Sequence, residues 1–257
     1  MMALPLFGKE YFAKTEPYEI YTIAANTAGQ VVATRQDLEG QKLGSKPFVD
    51  MDDHLDRVEL KSVVSKISHL ETVLELNKKI LANYKEVLTR KEANYERVKA
   101  LKIKSTVEKD REFYDLAATQ NQYLSTHKEL ENLHVQLNDL KLRKAYLEKS
   151  ILDKHPVAAG KVLYRLMVKP GQVVAPSAPL AEIADVSRAK LTLFLTQEDA
   201  ENVENKRIYI DGEKSDYTIT RLWNVADKQH LSSYRAEIII DAPVRFSQLL
   251  KVEFKSE

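Results

Sequence analysis

Apolar residues recur at alternating spacings of three and four through the middle of the chain. Leu60, Val63, Ile67, Leu70, Leu74, Leu81, Tyr84, Leu88, Tyr95 and Val98 form one series, with only Asn77 and Lys91 polar in the same phase. A second series holds Leu116, Tyr123, Leu130, Leu133, Leu137, Leu140, Leu147 and Ile151, interrupted by Thr119, Thr126 and Lys144. On a helix of 3.6 residues per turn, each series draws a single stripe of the kind buried in coiled coils. All seven glycines and eight prolines lie outside residues 48–155, so nothing in that run of 108 residues breaks a helix.

The two stripes do not share a phase, because the step from Val98 to Leu116 breaks the count. In the gap, Ser105-Thr106-Val107-Glu108 has the form of a capping box. Its hydroxyl accepts from the Glu108 amide while the Glu108 carboxylate reaches back. The pattern therefore predicts helix 1 over about 53–104 and helix 2 over about 106–153, folded back on each other as an antiparallel coiled-coil hairpin at 53–153. Each arm of about 50 residues would span about 75 Å at ~1.5 Å per residue. One continuous dimerising helix would leave the capping box without a use.

The flanks change period. "EIYTIAA", "GQVVAT" and "PFVDM" precede the helices, and "GKVLYRLMV", "GQVVA" and "PLAEIAD" follow them, with turns at Gly and Pro. The two flanks are cousins: Gly29 matches Gly160, Gly40 matches Gly171, and Pro47-Phe48-Asp50-Met51-Asp53 match Pro179-Leu180-Glu182-Ile183-Asp185. Neither flank has enough strands to bury a core alone, so residues 20–52 and 154–186 are expected to close one β-sandwich between them. From residue 187 to 257 the strands "KLTLFL", "KRIYID", "SDYTITRLW", "YRAEIIID" and "LLKVEF" predict a small β-barrel of five or six strands. "TQEDAENV" suits a short helix with Thr196 as its N-cap. An N-terminal segment, 1–19, is expected to add an edge strand to the barrel through residues 9–17. The fold class is thus α+β, multidomain and elongated.

Composition then removes chemistry. With 39 basic and 38 acidic residues the chain has no excess charge for nucleic acid. The absence of cysteine excludes disulfides and thiolate sites. Glycines are never clustered as a phosphate cradle requires, and no nucleophile, base and orienter stand in a recognisable set, so no catalytic or cofactor-binding residue is named. His127 and His134 lie seven apart on one helix face without a third ligand, which reads as a coiled-coil flank rather than a metal site. Lys154 reads as a helix C-terminal charge favoured by the macrodipole, and Trp223 as core or interface. No run approaches the ~18 apolar residues of a transmembrane span, and "MMALPLFGKEYFAK" lacks the parts of a signal peptide.

The order of parts resembles the periplasmic adaptor family, also called membrane fusion proteins, of tripartite efflux pumps and type I secretion systems. The resemblance rests on "KTEPYEIYTIAANTAGQVV", "AAGKVLYRLMVKPGQVVAPSAPLAEIAD", "KLTLFLTQEDAENV" and "YRAEIIID", arranged around the heptad hairpin. It implies a lipoyl-like sandwich split by the hairpin and followed by the barrel, and a non-enzymatic, cofactor-free bridge between an inner-membrane transporter, proton- or ATP-driven, and an outer-membrane efflux channel. It further implies self-association as a hexamer and a periplasmic location, anchored at the inner membrane by an N-terminal segment beyond this sequence. In that family the hairpin tip carries Arg, a Leu four residues on and a Ser seven further. Arg97 and Leu101 match, whereas Glu108 stands at the third place and the nearest hydroxyls are Ser105 and Thr106. The tip residues expected to meet a partner are Arg97, Leu101, Lys104, Ser105, Thr106, Val107 and Glu108. The competing reading is a cytosolic coiled-coil scaffold or tether with a β-sandwich head.

Overall fold

A computed structural model of the chain describes residues 9–201, 203–226 and 233–256. The first eight residues of the 1–19 segment, and Asn202 of the short-helix stretch, lie outside the described residues. The chain divides into two compact units: Asp53–Asp153, and the remainder on either side of it.

The first unit is a helical hairpin of α1 (His54–Ala100) and α2 (Thr106–Asp153). Every stripe position from Leu60 to Val98, and from Leu116 to Ile151, is at least partly buried, including the polar interruptions. Leu74, Leu133 and Leu137 form the densest part of the seam, with Ile67 and Leu70 against them. Asn77 is tolerated there because its Nδ2 donates to the Val73 carbonyl of its own helix (3.2 Å), and Thr119 likewise donates to Asp115 (3.1 Å). The antiparallel register is written in cross-helix pairs. Arg143 clasps Glu59 with two 2.7 Å bonds, Ser150 donates to Asp56 (2.7 Å), and Lys91 meets Asp115 (2.8 Å). Helix 1 ends at Ala100, four residues before the sequence-based limit, because Leu101 turns to extended geometry (φ −75°, ψ 117°).

The second unit contains two cores threaded by two long strands, β1 (Glu10–Ala24) and β6 (Pro179–Leu195). Around the first core, β2 (Gly29–Thr34), β3 (Val49–Met51) and β5 (Val173–Val174) make a small sheet in the order β3-β2-β5. It faces β1, β6 and β4 (Val162–Leu166), burying Val31, Phe48, Val49, Met51, Leu163, Leu180 and Ile183 almost completely. Each such side chain contributes about 1.5–3 kcal/mol relative to exposure.

The two halves interlock reciprocally. The Val31 amide donates to the Gln172 carbonyl (2.8 Å) and the Gly171 amide to the Val31 carbonyl (2.8 Å). In mirror fashion the Leu163 amide donates to Gln41 (3.1 Å) and the Gly40 amide to Leu163 (2.8 Å). The same relation equates Arg35, bonded to Phe48, with Met167, bonded to Leu180. Gly40 and Gly171 are therefore equivalent, at φ +78° and +86°. The match of Gly29 with Gly160 is one residue out of register. Gly160 takes a left-handed φ of +81°, while Gly29 starts a strand and needs no such freedom. The 3-10 turn at Gln36–Leu38 gives the first half one residue more before its second glycine, which absorbs the difference.

The second core is a β-barrel. β7 (Lys206–Ile210), β11 (Leu249–Ser256), β1, β6, β10 (Tyr234–Asp241) and β9 (Ile219–Ala226) follow one another in the sheet, with β8 (Glu213–Lys214) paired to β7. Inward alternation on β6 and β10 buries Ala189, Leu191, Leu193 and Leu195 against Ala236, Ile238 and Ile240. A short helix, α3 (Gln197–Ala200), follows β6. Tyr11 and Lys206 (3.0 Å) both bond its Asp199, joining it to β1 and β7. Burial is the largest influence on Asp199 and opposes its ionisation, but the bonds from Tyr11, Lys206 and Thr196 outweigh it and lower its pKa.

Two positional expectations change. β1 lies between β11 and β6 rather than at an edge, because Ala13 and Thr15 are core residues. The limit drawn at 186/187 falls inside β6, at a bulge where β1 pairs Pro17 with Ala189 and then Glu19 with Asp185. Asp185 holds the bulge by accepting the Ser187 amide (3.0 Å) and the Lys161 ammonium. The Lys161 bond, then the Ser187 amide, hold the Asp185 carboxyl well below its ordinary range, at about 2.

Candidate partner-docking site at the helical turn

The turn between α1 and α2 is built by local chemistry. Arg97 and Lys99 occupy the last turn of α1, where cations complement its exposed carbonyls. The Leu101 amide reaches back to the Val98 carbonyl (3.2 Å), closing the helix, and the chain reverses through Lys102 and Ile103. Ser105 then starts α2 through a complete capping box. Its amide donates to Glu108 Oε2 (3.0 Å), its hydroxyl donates to the same oxygen (3.1 Å), and the Glu108 amide donates to Ser105 Oγ (3.3 Å). Lys104 Nζ adds a bond to Glu108 Oε1 (3.0 Å). The Ser105 amide, then Lys104 and the Ser105 hydroxyl, lower the Glu108 pKa.

The seven expected tip residues thus fall into two groups. Lys104, Ser105 and Glu108 are joined in one bonded ring, with Thr106 and Val107 as the first exposed residues of α2. Arg97 belongs to the layer behind, where it donates to Asn94 Oδ1 (3.3 Å), and Asn94 in turn donates across the hairpin to Glu112 (2.8 Å). Leu101 is exposed on the cap itself. Glu108, at the place the resemblance gives to a serine, therefore acts as a structural partner of the serine that precedes it.

Sequence reasoning missed Ile103, which is 90% exposed at the apex, and the Asn94–Glu112 pair. Ile103 carried a signal: it is an apolar residue outside both stripes, between two lysines. Asn94 carried none, since polar flank positions of a heptad are ordinary. Beyond the pair, Tyr95 and Phe113 rings pack at 5.9 Å and Phe113 and Tyr114 at 5.7 Å.

The other singled-out residues lie elsewhere. His127 and His134 straddle Glu131 on α2, each 3.9 Å from it, and His127 stacks on Tyr123. Lys154 is not a surface charge at the end of α2. Its side chain is buried, with Cε 3.7 Å from the place a Gly29 β-carbon would take. The Trp223 ring meets two guanidinium groups, those of Arg221 (5.3 Å) and Arg235 (4.7 Å). Among the described residues no helix is long and apolar enough to cross a membrane, and no cluster of three ligand side chains could hold a metal ion.

No family model and no curated protein matches the sequence. Solved structures do. The membrane fusion protein Spr0693 from Streptococcus pneumoniae R6 superposes with a TM-score of 0.67 at 8% identity, covering 97% of this chain and 99% of that one. MacA from Actinobacillus actinomycetemcomitans gives 0.59 at 13% identity, covering 96% and 79%. A MacA–MexA chimeric protein containing the Pseudomonas aeruginosa MexA α-hairpin domain gives 0.56 at 12%, covering 97% and 82%. The chain has the membrane fusion protein fold.

Proposed function

We propose that this chain, with the fold of membrane fusion proteins, is a non-enzymatic periplasmic adaptor. It links an inner-membrane transporter to an outer-membrane channel for export of drugs, metabolites or proteins, and self-associates as a hexamer. One observation carries the reading: a two-helix coiled coil is inserted between the reciprocal halves of a single sandwich and ends in an ordered, exposed turn. A polar capping box fixes that turn, while Leu101, Ile103 and Val107 remain exposed on it. Exposed apolar groups held in a fixed conformation suit partner contact, because little entropy remains to be lost on binding.

The test replaces Arg97 and Leu101 by Asp in the native host. The variant reproduces the export defect of the deletion strain while its far-ultraviolet circular dichroism stays that of the parent protein. Full export with normal folding would overturn tip docking.

A further inference from the structure

We infer that the surface met by the hairpin tip is an acidic protein surface with an apolar socket for Ile103. The inference rests on the tip-docking reading above and adds the chemistry of the partner. Residues 97–104 read Arg-Val-Lys-Ala-Leu-Lys-Ile-Lys, four cations in eight positions with no acid among them. All four cations are exposed. Lys99 has a loose pairing with Glu96 (3.6 Å) and Lys104 is held by Glu108 (3.0 Å). Among the described residues, Arg97 and Lys102 have no carboxylate partner; Arg97 is bonded to the neutral Asn94. The segment therefore offers two positive charges without a carboxylate partner, Lys102 next to an isoleucine that is 90% exposed and Arg97 in the layer behind.

A helix C-terminus already favours cations, and that accounts for Arg97 and Lys99 in the last turn of α1. It does not account for Lys102, Ile103 and Lys104, which lie past the helix end in the reversing turn. The order of the turn matters equally. Ser105 and Glu108 lock its exit, so the lysines and Ile103 project from a fixed frame rather than a floppy loop.

Basic and apolar residues together also suit an anionic bilayer. The acids immediately behind the cap argue against that occupant: Glu96 and Glu108 stand 3.6 and 3.0 Å from Lys99 and Lys104, and Asp110 and Glu112 follow in the first two turns of α2, so a uniformly negative plane would repel them as it attracts the cations. A protein surface places carboxylates opposite individual lysines and spares those acids. Charge complementarity of this local kind sets partner choice and association rate.

The experiment uses the full chain in its native host with a photoreactive benzoylphenylalanine at 101, 103 or 107, and maps the cross-linked segment by mass spectrometry. The expected segment carries at least two carboxylates beside an apolar patch. Lys102→Glu with Lys104→Glu lowers the cross-link yield from position 103 about tenfold, Lys102→Arg with Lys104→Arg preserves it, and reversing the mapped acids to Lys restores it in the Glu variant. A cross-link to a neutral or basic segment, to lipid, or one indifferent to charge reversal overturns the acidic-partner inference and leaves tip docking standing. Absence of any cross-link from all three positions, with the protein folded, overturns docking and this inference together.

Discussion

Leu163 occupies in the second half of the sandwich the place that Val31 occupies in the first. Each is a fully buried strand residue that exchanges two main-chain bonds with the other half, Val31 with Gly171 and Gln172, Leu163 with Gly40 and Gln41. The small domain is thus a two-fold exchange of strands, and its glycines have unequal duties.

That inequality is measurable. Gly160, Gly40 and Gly171 have left-handed φ and open space around the missing β-carbon, so an alanine there costs conformational energy alone, about 1–2 kcal/mol each. At Gly29 an alanine β-carbon meets its nearest neighbour, Met51 Cβ, at an ordinary 3.6 Å, and φ is normal. Gly29→Ala is therefore expected to be neutral or slightly stabilising, and Gly160→Ala destabilising, in urea unfolding followed by circular dichroism. Equal costs at the two positions would contradict the register.

Leu74 and Leu137 pack in the densest part of the helical seam. Placing Asp at either position buries a carboxylate among leucines and costs several kcal/mol. A thermal melt of Leu74→Asp or Leu137→Asp is expected to show the helical transition well below that of the parent; an unchanged melt would mean the seam is not packed.

Ser105→Ala removes the hydroxyl that accepts the Glu108 amide. Loss of such an N-cap costs about 1 kcal/mol. Because the turn lies at the far end of the heptad stripes, the change is expected to speed hydrogen exchange in the first turn of α2 while leaving amides near Leu133 protected. Uniform loss of protection would show that the cap supports the whole hairpin instead.

Asp185 titrates low because Lys161 and the Ser187 amide stabilise its charged form. A depressed folded pKa means the stabilisation is fully present above the unfolded value near 4 and is lost as pH falls toward 2. Carboxyl-carbon nuclear magnetic resonance should place the Asp185 midpoint at about 2 in the parent, and Lys161→Met should move it upward. A midpoint near 4 in both proteins would remove Asp185 as the clamp of the β6 bulge.

The helical hairpin was legible because its physics is local and periodic: the three-four spacing fixes the buried face of each arm, and the Ser105–Glu108 signature marks where α2 begins. What escaped depends on the partner half of a split domain. The buried stem of Lys154 comes within ordinary contact distance of Gly29, and residues so distant in sequence give no sign of that approach. The one-residue slip between Gly29 and Gly160 escaped for a related reason. Residue identity aligned the glycines, whereas the pleat aligns Val31 with Leu163, and only the second has energetic force. At the tip, charge and caps were legible, but the Arg97–Asn94–Glu112 chain was not, because heptad flanks accept almost any polar residue.

β1 and β6 run side by side past the bulge at Asp185, pairing from Thr15 with Leu191 to Ala24 with Pro179. The two β cores are consequently joined by continuous paired strands, interrupted only at that bulge, rather than by a loop. A pull on one core travels to the other along two covalent backbones, so the pair should yield as a single mechanical element.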